Sequence, residues 1–190
     1  MKVIATALAE VKVYLPKRRV DGRGYFSEWY NARDLAAVGL GRQFVQDNIA
    51  LSREAGTVRG LHFQAPPHAQ AKLVGVLRGA AFDVVVDIRG GSPTFGRHVT
   101  VELSAELGNQ VFVPEGFAHG ICNSVPDTLV GYKVTDYFDA ASDMGIAWDD
   151  PALAIAWPVE AGRARLSERD RRLPKLAELD PPPFRYERPR

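Results

Sequence analysis

The stretch GNQVFVPEGFAHGICN, Gly108–Asn123, decides how the rest of the chain is read. Two short apolar runs, near Gln110–Val113 and His119–Val125, flank a Glu115-Gly116 turn. Short runs rich in Val and Phe, cut by Gly and Pro, mark half-buried strands joined by tight turns. His119 is the chemically active side chain of the stretch. A histidine inside a strand either bonds backbone within the fold or faces a site.

The same rhythm extends in both directions. Val11–Leu15 alternates, and Asp21–Gly24 follows as a turn. Apolar segments recur near Phe44–Leu51, Thr57–Phe63, Lys72–Leu77, Ala81–Ile88, His98–Leu103 and Leu129–Phe138. Arg78-Gly79 and Gly90-Gly91-Ser92-Pro93 supply turns between them. Ala32–Leu40 is the only helical stretch of the first half, with Gly39 and Gly41 to end it. Roughly ten strands without βαβ alternation predict an all-β sandwich or barrel with a few short helices, and argue against a Rossmann fold. From Ala161 the composition shifts. Leu166–Asp170 reads as a helix start with Ser167 as N-cap, limited by Pro174, and Pro181–Pro183 begin an extended tail. The expectation is one domain over 1–190, with 161–190 a helical and extended C-terminal segment.

Composition narrows the function classes. Of 190 residues, 46% are apolar and 25% charged, which sets disorder aside. Lys and Arg number 24 and Asp and Glu 23, so no general field draws nucleic acid or an anionic membrane. Any bound anion needs a local cluster of cations. No apolar run reaches the ~18 residues of a membrane span. Glu10 and Lys12 interrupt the apolar start, which argues against a secretory leader. The lone Cys122 permits neither an internal disulfide nor a cysteine zinc cluster. A cytoplasmic protein without membrane or nucleic-acid partners is expected.

Gly108, Pro114, Gly116, His119 and Asn123 match the second motif of the cupin superfamily at every defined position. In the first motif Gly56, His62 and Gly75 fit, but Gln64 replaces the second histidine and His68 replaces the glutamate. The resemblance implies a jelly-roll barrel with His62 and His119 facing its mouth. A catalytic metal needs about three or four His or carboxylate ligands. Gln64 is a poor ligand and His68 lies in the loop-like Ala65–His68. The site is therefore expected to hold no metal, and no cofactor.

A narrower resemblance covers nearly the whole chain. DGRGYF (21–26), FVQDN (44–48), RGLHFQ (59–64), AQAK (69–72), FDVVVDIR (82–89), SPTFG (92–96), PEGFAHG (114–120), YKVTDY (132–137) and LSERD (166–170) resemble the dTDP-4-dehydrorhamnose 3,5-epimerases in order and spacing. That family acts on a nucleotide-linked 4-keto-6-deoxy sugar. Inverting C3 and C5 needs a base, a holder of the enolate charge and an acid on the opposite face. General acid–base catalysis supplies about 10²–10⁴-fold, best with a pKa near working pH, which suits histidine. The resemblance implies His62 as base, Asp170 as its orienter, Lys72 as enolate stabiliser and Tyr132 as acid. It further implies Arg23 and Arg59 on phosphate, and Glu28, Gln46, Asp47, Asn48, His119, Asp143 and Arg169 as substrate contacts. Tyr137 or Phe138 would stack on the base. Each has a plainer reading: a helix-start Asp170, a strand-edge Lys72, a core Tyr132 or surface arginines.

Several positions depart from the family pattern. Ile49 and Ala50 follow the QDN triplet, His98 follows FGR, and Gly75 and Gly131 replace bulkier residues. Gly131, next to Tyr132, is expected to alter the depth of the sugar pocket and so to bear on whether both centres invert. The competing readings are a single-centre epimerase, a 3,4-ketoisomerase, a metal cupin using His62, His68 and His119, and a silent sugar-nucleotide binding module. A homodimer is expected, since the family's N-terminal strands add to the partner's sheet and Val3–Leu15 alternates suitably.

Overall fold

The computed structural model describes residues 2–187. In chain order its elements are β1 (Lys2–Ala5), β2 (Lys12–Leu15), β3 (Arg18–Asp21), β4 (Gly24–Ser27), α1 (Ala32–Ala37), β5 (Gln46–Ser52), β6 (Val58–Gln64) and β7 (Lys72–Arg78). Then follow β8 (Ala80–Asp87), β9 (Arg89–Gly90), β10 (His98–Ser104), β11 (Gln110–Val113), β12 (Phe117–Asn123), β13 (Thr128–Val134), β14 (Asp143–Gly145) and β15 (Phe184–Arg185). A six-stranded sheet runs β1-β2-β11-β7-β13-β5 and a five-stranded sheet runs β10-β8-β12-β6-β14. The expected all-β jelly roll is what forms.

Period-two alternation assigns the side chains to layers. Val74, Val76, Val85, Val111, Val113, Ile121 and Val130 fill the space between the sheets. Val84, Val86, Ala118 and Leu61 point the other way, where Leu153, Leu176 and Leu179 of the C-terminal region cover the five-stranded sheet. The outer face of the six-stranded sheet, with Leu73 and Phe112, is covered by Leu35 and Leu40 in and beyond α1. Both sheets therefore carry apolar packing on two faces.

Two departures from expectation concern the ends of elements. The helix read at Ala32–Leu40 stops at Ala37, and Asn31 caps it by accepting from Arg33 N at 3.0 Å. The start read at Ser167 does not grow into an α-helix. Its hydroxyl accepts from Asp170 N at 3.0 Å, but only a single 3₁₀ turn, Asp170–Arg172, follows. The Asp170 side chain bonds elsewhere and the Leu173-Pro174 pair is extended or blocked, so no further turn can close. The C-terminal segment is a strap of single turns at Ala161–Arg163, Asp170–Arg172 and Leu176–Glu178, ending in β15 paired with β9. The last three residues of the expected tail lie outside the described residues.

Candidate active site

β6 and β12 form the floor of the mouth. His62 and His119 are cross-strand partners, and the register slips between His119 and Ile121. Gly60 makes this approach possible. Its φ is +133°, and a Cβ there would sit 2.5 Å from the Gly120 Cα. Two imidazoles thus stand side by side on the inner face of one sheet. From the opposite sheet come Lys72 and Val74 of β7, Val130 and Tyr132 of β13 and Ala50 of β5. Ser167, Arg169 and Asp170 of the strap close one side. The enclosed cavity is about 290 Å³, the low end of the range that holds a small ligand.

His62 Nε2 lies 2.6 Å from Asp170 Oδ1. Asp170 is buried, and burial pushes its carboxyl up. Hydrogen bonds from His62 and Ser167, with the His62 and Arg169 charges, more than offset this and hold it below the usual range. A carboxylate there accepts the Nε2 proton and leaves the lone pair on Nδ1. Capping and pairing with His62 coexist: the Asp170 N–H donates to Ser167 Oγ while its side chain reaches the imidazole across 108 residues of chain.

Lys72 donates from Nζ to the His62 carbonyl at 3.3 Å. Burial pulls its pKa down to about 8, against the opposing charges of Asp143 and Asp83. Tyr132 moves the other way: burial raises its phenol above the ordinary value, although Arg59 draws it down. Near neutral pH the phenol therefore keeps its proton. Arg59 is braced by Ser52 Oγ at 3.2 Å and the Leu51 carbonyl at 3.0 Å, and Arg169 is held by Asp143 at 2.8 Å.

Seven residues of the expected set converge on the cavity: Arg59, His62, Lys72, His119, Tyr132, Arg169 and Asp170. Asp143 joins through Arg169. Gln46 and Asn48 bond each other at 2.9 Å on the inner side of β5, with Asn48 opposite Tyr132 in register. Asp47 points away, paired with Lys133 at 2.7 Å, as alternation along β5 requires. Arg23 sits at the β3–β4 turn with its guanidinium on Asp21 at 2.6 Å, 91% exposed. Glu28 lines a separate groove with Lys17, Arg19 and Phe26. Tyr137 and Phe138 lie exposed beyond β13, which ends at Val134 rather than at Phe138.

Three further placements bear on the competing readings. Gln64 is buried and clamps loops, donating to the His68 and Tyr137 carbonyls and accepting from Asp139 N. His68 pairs with Asp136 at 3.1 Å outside the cavity, so it does not join His62 and His119. Among the described residues no three His, Cys, Asp or Glu side chains cluster to hold a metal. Gly131 corrects an expectation. A Cβ there would meet Leu77 at 3.0 Å and Trp29 at 3.2 Å on the outer face, not the sugar cavity. Gly131 and Gly75 are cross-strand partners, and together they leave a slot for the Trp29 indole.

Sequence reasoning missed Asp83. This fully buried carboxylate of β8 lies 2.7 Å from His119 Nε2. The signal was present in the FDVVVD run, where an acid interrupts an apolar strand on its inward phase. A wider groove of about 900 Å³ involving Arg53, Arg163, Arg165 and Arg171 lies away from these groups. Three of its arginines are engaged by Asp127, Glu160 and Glu54.

The family model for dTDP-4-dehydrorhamnose 3,5-epimerase matches residues 5–178. A protein of that name from Sinorhizobium fredii is 51% identical over 185 residues, covering 95% of this chain and 91% of its own. The structure of the Bacillus anthracis dTDP-4-dehydrorhamnose 3,5-epimerase with TDP and PPi bound superposes with a TM-score of 0.89 at 49% identity, over 92% of this chain and 98% of the other. The Legionella pneumophila dTDP-6-deoxy-D-glucose-3,5-epimerase in complex with dTDP-4-keto-L-rhamnose gives 0.93 at 41% identity, over 98% and 99%. With its fold, its opposed histidine and tyrosine and this match along nearly all of its length, the chain belongs to the dTDP-4-dehydrorhamnose 3,5-epimerase family.

Proposed function

We propose that the protein inverts C3 and C5 of dTDP-4-keto-6-deoxyglucose, giving dTDP-4-keto-L-rhamnose, without a cofactor. One observation carries the mechanism: the base and the acid hang from opposite sheets of the sandwich, His62 from β6 and Tyr132 from β13, across one cavity. Epimerisation demands that geometry, because a proton must leave one face of the carbon and return to the other.

His62 Nδ1 takes the C–H proton next to the ketone. The C–H electron pair forms the enolate double bond, and the carbonyl electrons move to oxygen. The Lys72 ammonium meets that oxygen between the two sheets, where such stabilisation counts more than in water. Tyr132 gives its phenolic proton to the carbon from the far side as the enolate electrons return and the carbonyl re-forms; solvent then reprotonates the tyrosinate and takes the proton from the imidazolium. Asp170 holds the imidazolium formed in the first step. Arg59 and Arg23 bind the diphosphate through paired N–H donors. Glu28, Gln46, Asp47, Asn48, His119, Asp143 and Arg169 contact the rest of the substrate, with Tyr137 or Phe138 on the base.

Arg23, Glu28 and Asp47 are outside the cavity of one chain, which supports a homodimer. The β3–β4 ribbon exposes Val20 (79%), Tyr25 (57%) and Phe26 (64%). Exposed apolar groups on a two-stranded ribbon fit burial against a second copy. Such docking would carry Arg23 toward the partner's cavity. A cytoplasmic location is consistent with the nucleotide-sugar substrate; no described helix is long and apolar enough to cross a membrane.

The test is proton NMR of dTDP-4-keto-6-deoxyglucose with chelator-treated protein in D2O. Loss of both the C3 and C5 signals with formation of the L-lyxo product is expected. Loss at one carbon would make it a single-centre epimerase. A product with its carbonyl moved to C3 would make it a ketoisomerase. Absence of exchange at either carbon, restored by metal, would make it a metal cupin.

A further inference from the structure

The mechanism above uses one imidazole–carboxylate pair, yet His119 of the cavity wall has a buried carboxylate partner of its own. His119 Nε2 is 2.7 Å from Asp83 Oδ2, and Asp83 is fully buried. The pair needs no loop to bring it together. Asp83 lies opposite Ile121 in the β8–β12 register, so His119 is its diagonal neighbour on the same inner face. Its second oxygen, Oδ1, is buried and without a hydrogen-bond partner among the described residues.

Packing gives no reason for this acid. Its inner-face neighbours on β8 are Ala81 and Val85, both buried and apolar. A buried carboxylate with one oxygen unpaired costs free energy that an apolar residue would not. A side chain retained against that cost, beside a reacting cavity, points to the chemistry of the cavity.

We propose that Asp83 is a positioning residue for the epimerisation: through Oδ2 it holds His119 with the proton on Nε2, leaving Nδ1 as an acceptor for a sugar hydroxyl, and its buried negative charge bears on Lys72 of the facing sheet. The inference rests on the epimerase reading. Lys72 lines the cavity with His119 and bonds the carbonyl of His62, the cross-strand partner of His119. The Asp83 charge also favours the charged lysine, second to that of Asp143. Other groups face Lys72 from every side. Arg59 and His62 come from β6, Tyr132 from β13, and Arg169 and Asp170 from the strap. Of these Arg169 opposes the charged lysine, so the two carboxylates of β8 and β14 carry the balance.

Asp83→Asn removes the charge and keeps the shape. Three readouts are taken: kcat and KM for solvent exchange at C3 and C5, the pH profile, and dTDP affinity. The expected result is a roughly 10–100-fold lower kcat with dTDP affinity unchanged. The alkaline limb of kcat/KM should move down by about 1 pH unit, and Asp83→Glu should return part of that shift. A folded Asp83→Asn protein with wild-type kcat and an unmoved alkaline limb would overturn the proposal. If the variant does not fold, ¹⁵N-histidine NMR of the wild-type protein decides. Protonation of His119 at Nε2 and not Nδ1 at neutral pH supports the proposal, and the reverse tautomer overturns it. If wild-type protein shows no exchange on the keto sugar, the epimerase reading itself fails; the tautomer measurement still reports on Asp83.

Discussion

The two imidazole–carboxylate pairs of the cavity are alike in chemistry and opposite in construction. His119 and Asp83 belong to neighbouring strands of one sheet, and the backbone ladder sets their separation. His62 and Asp170 join a strand to a strap, and nothing but tertiary packing brings them within 2.6 Å. The strap is held beyond Asp170 by Leu176 and Leu179 against the five-stranded sheet, and at its end by β15. There Phe184 packs edge-on against Phe63, and Arg89 lies over the rings of Phe117 and Tyr186. A pair built into a sheet is rigid by default. A pair completed by a strap can be tuned, or broken, from a distance.

The largest test of that contrast is the loss of each histidine. His62→Ala should lower exchange at both carbons by about 10³–10⁴-fold with dTDP affinity intact. His119→Ala should cost about 10–100-fold, since it removes a substrate contact and not the proposed base. Equal losses would erase the distinction between the pairs.

Lys72, which lines the same cavity from the facing sheet, comes next. Lys72→Met should lower kcat by about 10²–10³-fold while raising stability at pH 7 by about 1–2 kcal/mol. The gain is smaller than the full displacement of its pKa implies, because Lys72 is only half-buried. The sign follows from burial. Folding lowers the Lys72 pKa from 10.5 to about 8, so the unfolded chain binds more protons between those values. Wild-type stability should therefore rise with pH through that window. The advantage of the Met variant should be full below about pH 8 and vanish above about 10.5. Denaturant melts at pH 7 and 11 check it, and wild-type exchange should fall on the alkaline side of about pH 8.

The strap can then be loosened without touching the site. Phe184→Ala removes the ring packed against Phe63. Exchange should fall by about 3–10-fold through the His62–Asp170 pair, with the ¹⁵N signature of His119 unchanged. A change in His119 would show that the two pairs are not mechanically separate. Smallest of all, Gly131→Ala should cost about 1 kcal/mol, a melting shift of roughly 2–4 °C, and leave the ratio of C3 to C5 exchange as it was. Its methyl would press on Leu77 and Trp29, away from the sugar. A changed ratio would restore Gly131 as a determinant of the pocket.

Legibility in the sequence followed the range of the interaction. Strands were readable because alternation is local, and most segments named from the sequence form within a few residues of their expected bounds. His62, Lys72, Tyr132 and Asp170 were singled out by motifs that resemble those of a family, and the structure places all four around one cavity. Local signals competed at Ser167–Asp170, where a cap and a catalytic carboxylate use the same spacing. The capping hydroxyl and the His62 bond both formed, but a helix did not. Gly131 was misread because adjacency in sequence was taken for adjacency in space. In a strand the next residue faces the other way.

By itself the sequence determined the strand rhythm, the turns and the kinds of chemistry available at each position, because these depend on residues a few places apart. Only the tertiary structure decided which groups meet. Asp83 was one acid among 23 until the β8–β12 register set it against His119. Likewise Tyr132 was a strand tyrosine until closure of the two sheets set it across the cavity from His62. Side-chain identity is a property of the chain, but opposition across a cavity requires two sheets and the register of each.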